Sequence, residues 1–117
     1  MRYWDKMRVT QEGPFTIIVD KSWEDMSVRD CFDDSCYDIE DLENKVNDGT
    51  YEWFMLRARV LLNGAEIGEH IVGGFMYENA DEVFEDGMAD DLIWEAKREA
   101  KKWIADIKKV DITSLEV

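Results

Sequence analysis

The chain reads as an α+β domain in which a small antiparallel sheet carries a helix on one face, and three observations predict this. Asn63-Gly64 separates two long apolar stretches, residues 51–62 and 65–77, which predicts a central hairpin. Phe15-Thr16-Ile17-Ile18-Val19 is a β-branched run preceded by Gly13-Pro14, which predicts an N-terminal strand over 15–19. From Ala89 to Ile107, apolar residues recur on one arc of about 120° at helical spacing, which predicts a C-terminal helix over 88–109 lying on the sheet. A chain of 117 residues forms one domain, and its five Trp, five Phe and four Tyr supply the bulk for one core.

In chain order, residues 4–10 are a hairpin partner for 15–19 across Gln11–Pro14, with Pro14 suited to an edge. Short helices follow between residues 27 and 47. Ser27, three residues before Asp30, caps the first. Asp38 to Asn47 forms the second, because Ile39, Leu42 and Val46 share a face and Gly49 is a stop signal. A two-residue turn fixes the hairpin register: Leu62 is expected opposite Ala65, Val60 opposite Ile67, Leu56 opposite Ile71 and Phe54 opposite Gly73. The reverse face would then pair Arg57 with His70, Arg59 with Gly68 and Trp53 with Gly74, and Gly73-Gly74 suggests a bulge or a close backbone contact. Asn79 and Glu82 form a cap ahead of the last helix, which Gly87 interrupts.

Charge is the main functional signal. Twenty-eight acidic and fourteen basic residues leave a net charge of −14. That field repels nucleic acid and anionic membranes at long range and attracts basic proteins. It is also segregated: residues 20–52 hold twelve acids and three bases, residues 78–95 hold eight acids and no base, and 97–109 reverses to six bases and two acids. Acids at the start of the last helix and Lys101, Lys102, Lys108 and Lys109 at its end suit the helix dipole. No stretch approaches the ~20 apolar residues of a membrane span. Met1-Arg2-Tyr3-Trp4-Asp5 lacks the apolar run of a signal peptide, and Cys31 and Cys36 suit a reduced pair, so a cytoplasmic setting is expected.

Catalytic patterns are thin, and no enzyme is expected. His70 is the one histidine, without a nucleophile elbow or Cys-His signature, and reads as an ordinary strand residue. Gly68, Gly73 and Gly74 sit in a strand, so no phosphate loop is formed. The run from Asp30 to Asp38 lacks the ligand order of an EF-hand and the Cys and His count of a zinc site; a solvated acidic loop is expected, with no metal or cofactor. The candidate partner-binding residues are therefore acids with one aromatic. From the first acidic segment they are Glu24, Asp25, Asp33, Asp34, Asp38, Glu40 and Asp41. From the second they are Glu85, Asp86, Asp90, Asp91, Trp94 and Glu95. Trp94 lies off the apolar arc, and two roles are open to it: an exposed contact anchor, or a residue packed on the N-terminal strand or a dimer mate. Trp23, beside Glu24 and Asp25, is similarly placed.

Tyr51-Glu52-Trp53-Phe54, followed by Arg57, Arg59, Gly64, Gly68, Gly73-Gly74, Tyr77, Phe84, Gly87 and the Ala-rich helix through Glu99-Ala100, resembles a group of small acidic accessory proteins of tailed phages over residues 30–105. The resemblance implies a phage origin and a role in conflict with the bacterial host, where small acidic proteins block CRISPR or restriction nucleases. On that reading the partner is a host defence complex with a basic nucleic-acid channel, met by the acidic segments as a DNA mimic in the host cytoplasm. A homodimer is compatible with it. The alternative is a phage accessory or assembly protein that acts as a protein-interaction module, its charge serving solubility.

Overall fold

The computed structural model describes residues 2–115. Strands β1 (Asp5–Glu12), β2 (Phe15–Trp23), β3 (Glu52–Leu62) and β4 (Ala65–Tyr77) form one antiparallel sheet in the order β1-β2-β3-β4. Two short helices, α1 (Val28–Cys31) and α2 (Ile39–Asn47), interrupt the meander between β2 and β3. A 3-10 turn (Ala80–Phe84) leads from β4 into α3 (Met88–Lys108), which covers one face of the sheet. The N-terminal strand thus extends beyond its expected end at Val19 to Trp23, and residues 5–12 do pair with it.

The sheet follows from its turns. Asn63 (φ 52°) and Gly64 (φ 82°) both take the positive φ of a type I′ turn, whose twist matches the flanking strands. Leu62 accordingly faces Ala65. Beyond that pair the register departs from expectation. Leu61 faces Glu66 but Val60 faces Gly68, so Ile67 is an extra residue in β4. A one-residue shift exchanges the two faces of a strand. Leu56 therefore pairs with Val72, Arg57 with Ile71, Arg59 with Glu69 and Ala58 with His70. His70 lies on the helix side, beside Glu95, Arg98, Glu99 and Lys102, rather than next to Arg57. Ile71 moves to the opposite face and is exposed. A second extra residue falls at Gly73-Gly74, where Gly74 has φ 81°, and past it Phe54 faces Phe75 and Trp53 faces Met76.

The core lies between the sheet and α3, where Ile17, Val19, Leu56, Ala58 and Val60 meet Ala89, Leu92, Ala96 and Ala100. Small residues let the layers come close. A methyl group at Gly68 would sit 2.3 Å from the Ala96 carbonyl oxygen and 2.9 Å from the Ala100 nitrogen, so the α3 backbone rests on β4 there. The Asn79–Glu82 capping box forms, and Gly87 (φ 89°) breaks the chain just before α3. The apolar arc of α3 outruns the sheet, however. Trp103 and Ile107, expected in the core, remain 43% and 50% exposed.

The face away from α3 holds a charged cluster. Asp20, 1% exposed, accepts from Arg57 Nε and Nη2 at 2.9 and 2.8 Å and from Arg59 Nη2 at 3.0 Å. The Trp4 ring covers the Arg57 guanidinium at 4.2 Å. Two partners and an aromatic lid compensate the carboxylate for lost water.

Candidate functional site

The 24–50 excursion is anchored on the same face by Trp53. Its indole Nε1 donates to the Met26 carbonyl at 2.8 Å, and its ring packs on Phe32, which in turn meets Tyr37 edge-on at 5.0 Å. Ser27 caps α1 by accepting from the Asp30 amide, and Asp38 caps α2 through the Asp41 amide. Glu24 reaches across β3, accepting from the Gly74 amide at 2.7 Å and the Met26 amide at 3.1 Å, and thereby ties the excursion to the β4 bulge.

This anchoring forms an open groove of about 640 Å3 along β4, the edge strand of the sheet. Phe32, Tyr37, Leu42 and Tyr51 border it from the first acidic segment. Residues 72–77 of β4 run through it, and Glu78, Glu82 and Met88 border it from the second. The two segments with net charges of −9 and −8 thus meet at one aromatic surface, although residues 53–77 separate them in the chain.

The candidate acids divide by task. Asp25 is paired with Arg2, and Asp41 with Lys45 at 3.1 Å. Asp33 accepts from the Ser35 amide at 2.9 Å, and the Ser35 amide and hydroxyl hold its carboxyl below the usual range. Asp86 accepts from the Tyr77 hydroxyl and the Met88 amide, and these two bonds lower its pKa. Burial first, then the bond to Asp86 and that group's charge, push the Tyr77 phenol up to about 12. Asp33 and Asp86, one from each acidic segment, are therefore held ionised. Asp34, Glu40, Glu85, Asp90 and Asp91 are exposed, the last two in the first turn of α3. Glu95 is half-buried, 3.7 Å from Arg98.

Trp94 lies outside the groove. It is 60% exposed, the Arg98 guanidinium lies 5.9 Å from its ring, and Lys97, Arg98 and Lys101 share its recess. Its surroundings are cationic, not the acidic ones its neighbours in sequence suggested. Trp23 is exposed beneath Arg2. Cys31 and Cys36 are exposed free thiols, and slight burial together with Glu24 and Asp30 raises the pKa of Cys31.

Reading the chain alone missed the aromatic lining. The signal was Phe32 and Tyr37 inside an otherwise acidic loop, where solvation alone requires no rings. Among the described residues no helix is long and apolar enough to cross a membrane, and no three His, Cys, Asp or Glu side chains gather as a metal site. No protein-family model matches the chain, and no curated protein or solved structure is significantly similar to it.

Proposed function

We propose that this chain is a phage-encoded inhibitor that binds the basic nucleic-acid surface of a host defence nucleoprotein through the groove beside β4 and the acids that flank it. The observation that carries this reading is the meeting of both acidic segments at one aromatic groove. Acids dispersed over every side would serve solubility alone. Acids flanking an apolar groove instead offer long-range attraction to a cationic channel and an apolar surface to hold it. Duplex DNA presents one negative charge per ~1.7 Å, and a channel built for that density favours a protein whose carboxylates are concentrated in the same way.

The test is capture of host proteins by the wild-type chain and by a variant with Asp33, Asp34, Glu78 and Glu82 changed to Lys. The wild type should retain a nucleic-acid-binding protein, lose it steeply as salt rises, and be displaced by DNA or RNA. Capture that ignores salt and charge reversal would contradict the proposal. It would favour a second reading, a phage accessory or assembly module joined through apolar contacts. The exposed Ile71 and Val72 on the β4 edge support that alternative.

A further inference from the structure

The molecule measures 63 × 26 × 25 Å, with a radius of gyration of 18.2 Å against about 13 Å for a compact chain of this length. The helix α3 runs along the sheet. Met88 borders the groove, Ala96 and Ala100 lie over Gly68, and Ile104 meets Phe15, Ile17 and Val60 near the two hairpin turns. Beyond Ile104 the sheet ends but the apolar arc does not. Trp103 and Ile107, four residues apart on α3, are 43% and 50% exposed, and Val110, Ile112 and Leu115 continue the exposed apolar run after the helix. Lys101, Lys102, Lys108 and Lys109 stand among them. With Asp106 and Asp111 counted, this arm is apolar and carries a net positive charge.

The groove is apolar and flanked by anions, so arm and groove are complementary in both respects. They cannot meet within one copy, because a 21-residue helix, about 30 Å long, separates them. We infer that the arm of one copy occupies the β4 groove of a second copy, giving a two-fold dimer of antiparallel subunits. Trp103 and Ile107 pack among Phe32, Tyr37 and Met88, and the arm lysines face the acids of both segments. Direct pairing of two arms is less favourable, since each arm has four lysines and two aspartates over residues 101–115 and so repels its like, whereas the groove's flanks are acidic throughout. Reciprocal exchange closes the assembly at two copies, as an isologous contact requires. The inference rests on the groove as a receptor for cationic apolar surfaces, and it adds that the chain's own arm competes with the target.

Sedimentation of the full chain across a concentration series, at low and high salt, tests it. The wild type should be a dimer that dissociates with salt. Trp103→Asp with Ile107→Asp should sediment as a monomer, and so should the Lys variant of Asp33, Asp34, Glu78 and Glu82. A second readout uses the native thiols near the groove: Ile107→Cys should cross-link between copies to Cys31 or Cys36 under mild oxidation, and the link should vanish in Cys31→Ser with Cys36→Ser. A wild type that is monomeric throughout, an open-ended polymer, or a dimer unaffected by groove charge reversal would each overturn the inference. Target capture by the Trp103→Asp, Ile107→Asp monomer separates the two ideas. Retained or increased capture with loss of the dimer supports both, whereas a persistent dimer with normal capture removes the arm exchange and leaves the groove's function standing.

Discussion

Gly68→Ala isolates the contact that seats α3 on the sheet. The added methyl carbon would lie 2.3 Å from the Ala96 oxygen, 2.9 Å from the Ala100 nitrogen and 3.0 Å from the Ala100 methyl. Ala96 oxygen and Ala100 nitrogen are four residues apart in α3, so the methyl presses on a helical hydrogen bond rather than on a movable side chain. Restoring ordinary contact distances requires α3 to retreat by about 1 Å. That loosens the packing of Ala96, Ala100 and Leu92, and overpacking of this kind costs about 1–3 kcal/mol. With a urea slope of about 2 kcal/mol per molar, the unfolding midpoint should fall by about 1 M. Gly73→Ala is the internal control. Its methyl would also meet an atom at 2.3 Å, but that atom is Glu24 Oε2, the end of a flexible side chain. Its midpoint should fall by less than half as much. Both are read by tryptophan fluorescence and circular dichroism in urea. Equal losses, or a Gly68→Ala protein as stable as wild type, would refute the claim that the helix backbone rests on β4. Since Met88 opens α3 and borders the groove, Gly68→Ala should also weaken target capture more than Gly73→Ala does.

Three further outcomes follow from individual interactions. Asp20→Ala leaves Arg57 and Arg59 facing each other without their shared carboxylate, and should lower stability by about 3–5 kcal/mol in the same urea assay. The Tyr77 phenol, shifted up from 10.0 to about 12, binds its proton more tightly in the fold than in the unfolded chain. Its contribution should be fully present below pH 10 and vanish as pH rises through 12, and ultraviolet titration of wild type minus Tyr77→Phe should show one late-ionising phenol. Glu24→Ala strips the exposed Gly74 and Met26 amides of their acceptor, which should cost about 0.5–1.5 kcal/mol because water can replace it, and speed hydrogen exchange at Gly74 more than at mid-strand Ala58.

Local chemistry made much of the fold legible in the chain. Asn63-Gly64 demanded a type I′ turn, Asn79 with Glu82 marked a cap, and the Ala89–Ala100 arc named the helix face that meets the sheet. What failed depended on spacing between elements. The extra residue at Ile67 leaves no trace in the alternation of β4, and that single insertion carried His70 and Ile71 to the wrong faces. Trp103 and Ile107 look like core by periodicity, because periodicity does not report where the sheet ends. The Asp20 cluster was hidden for the same reason: Asp20 and the two arginines become neighbours only when β2 and β3 align in register. For the candidate site, the charge of the two acidic segments was readable, but their junction along the β4 edge required the Trp53 and Glu24 anchors, both of which join residues distant in sequence.

The groove as binding surface is tested most directly by hydrogen-exchange footprinting of the Trp103→Asp, Ile107→Asp chain, whose groove is not covered by an arm, alone and bound to the protein it captures from host lysate. Protection is expected at residues 32–42, 72–78 and 82–88, with β1 unchanged. Protection confined to β1 or to the Trp94 recess, with the groove exchanging as freely as in the unbound chain, would contradict it.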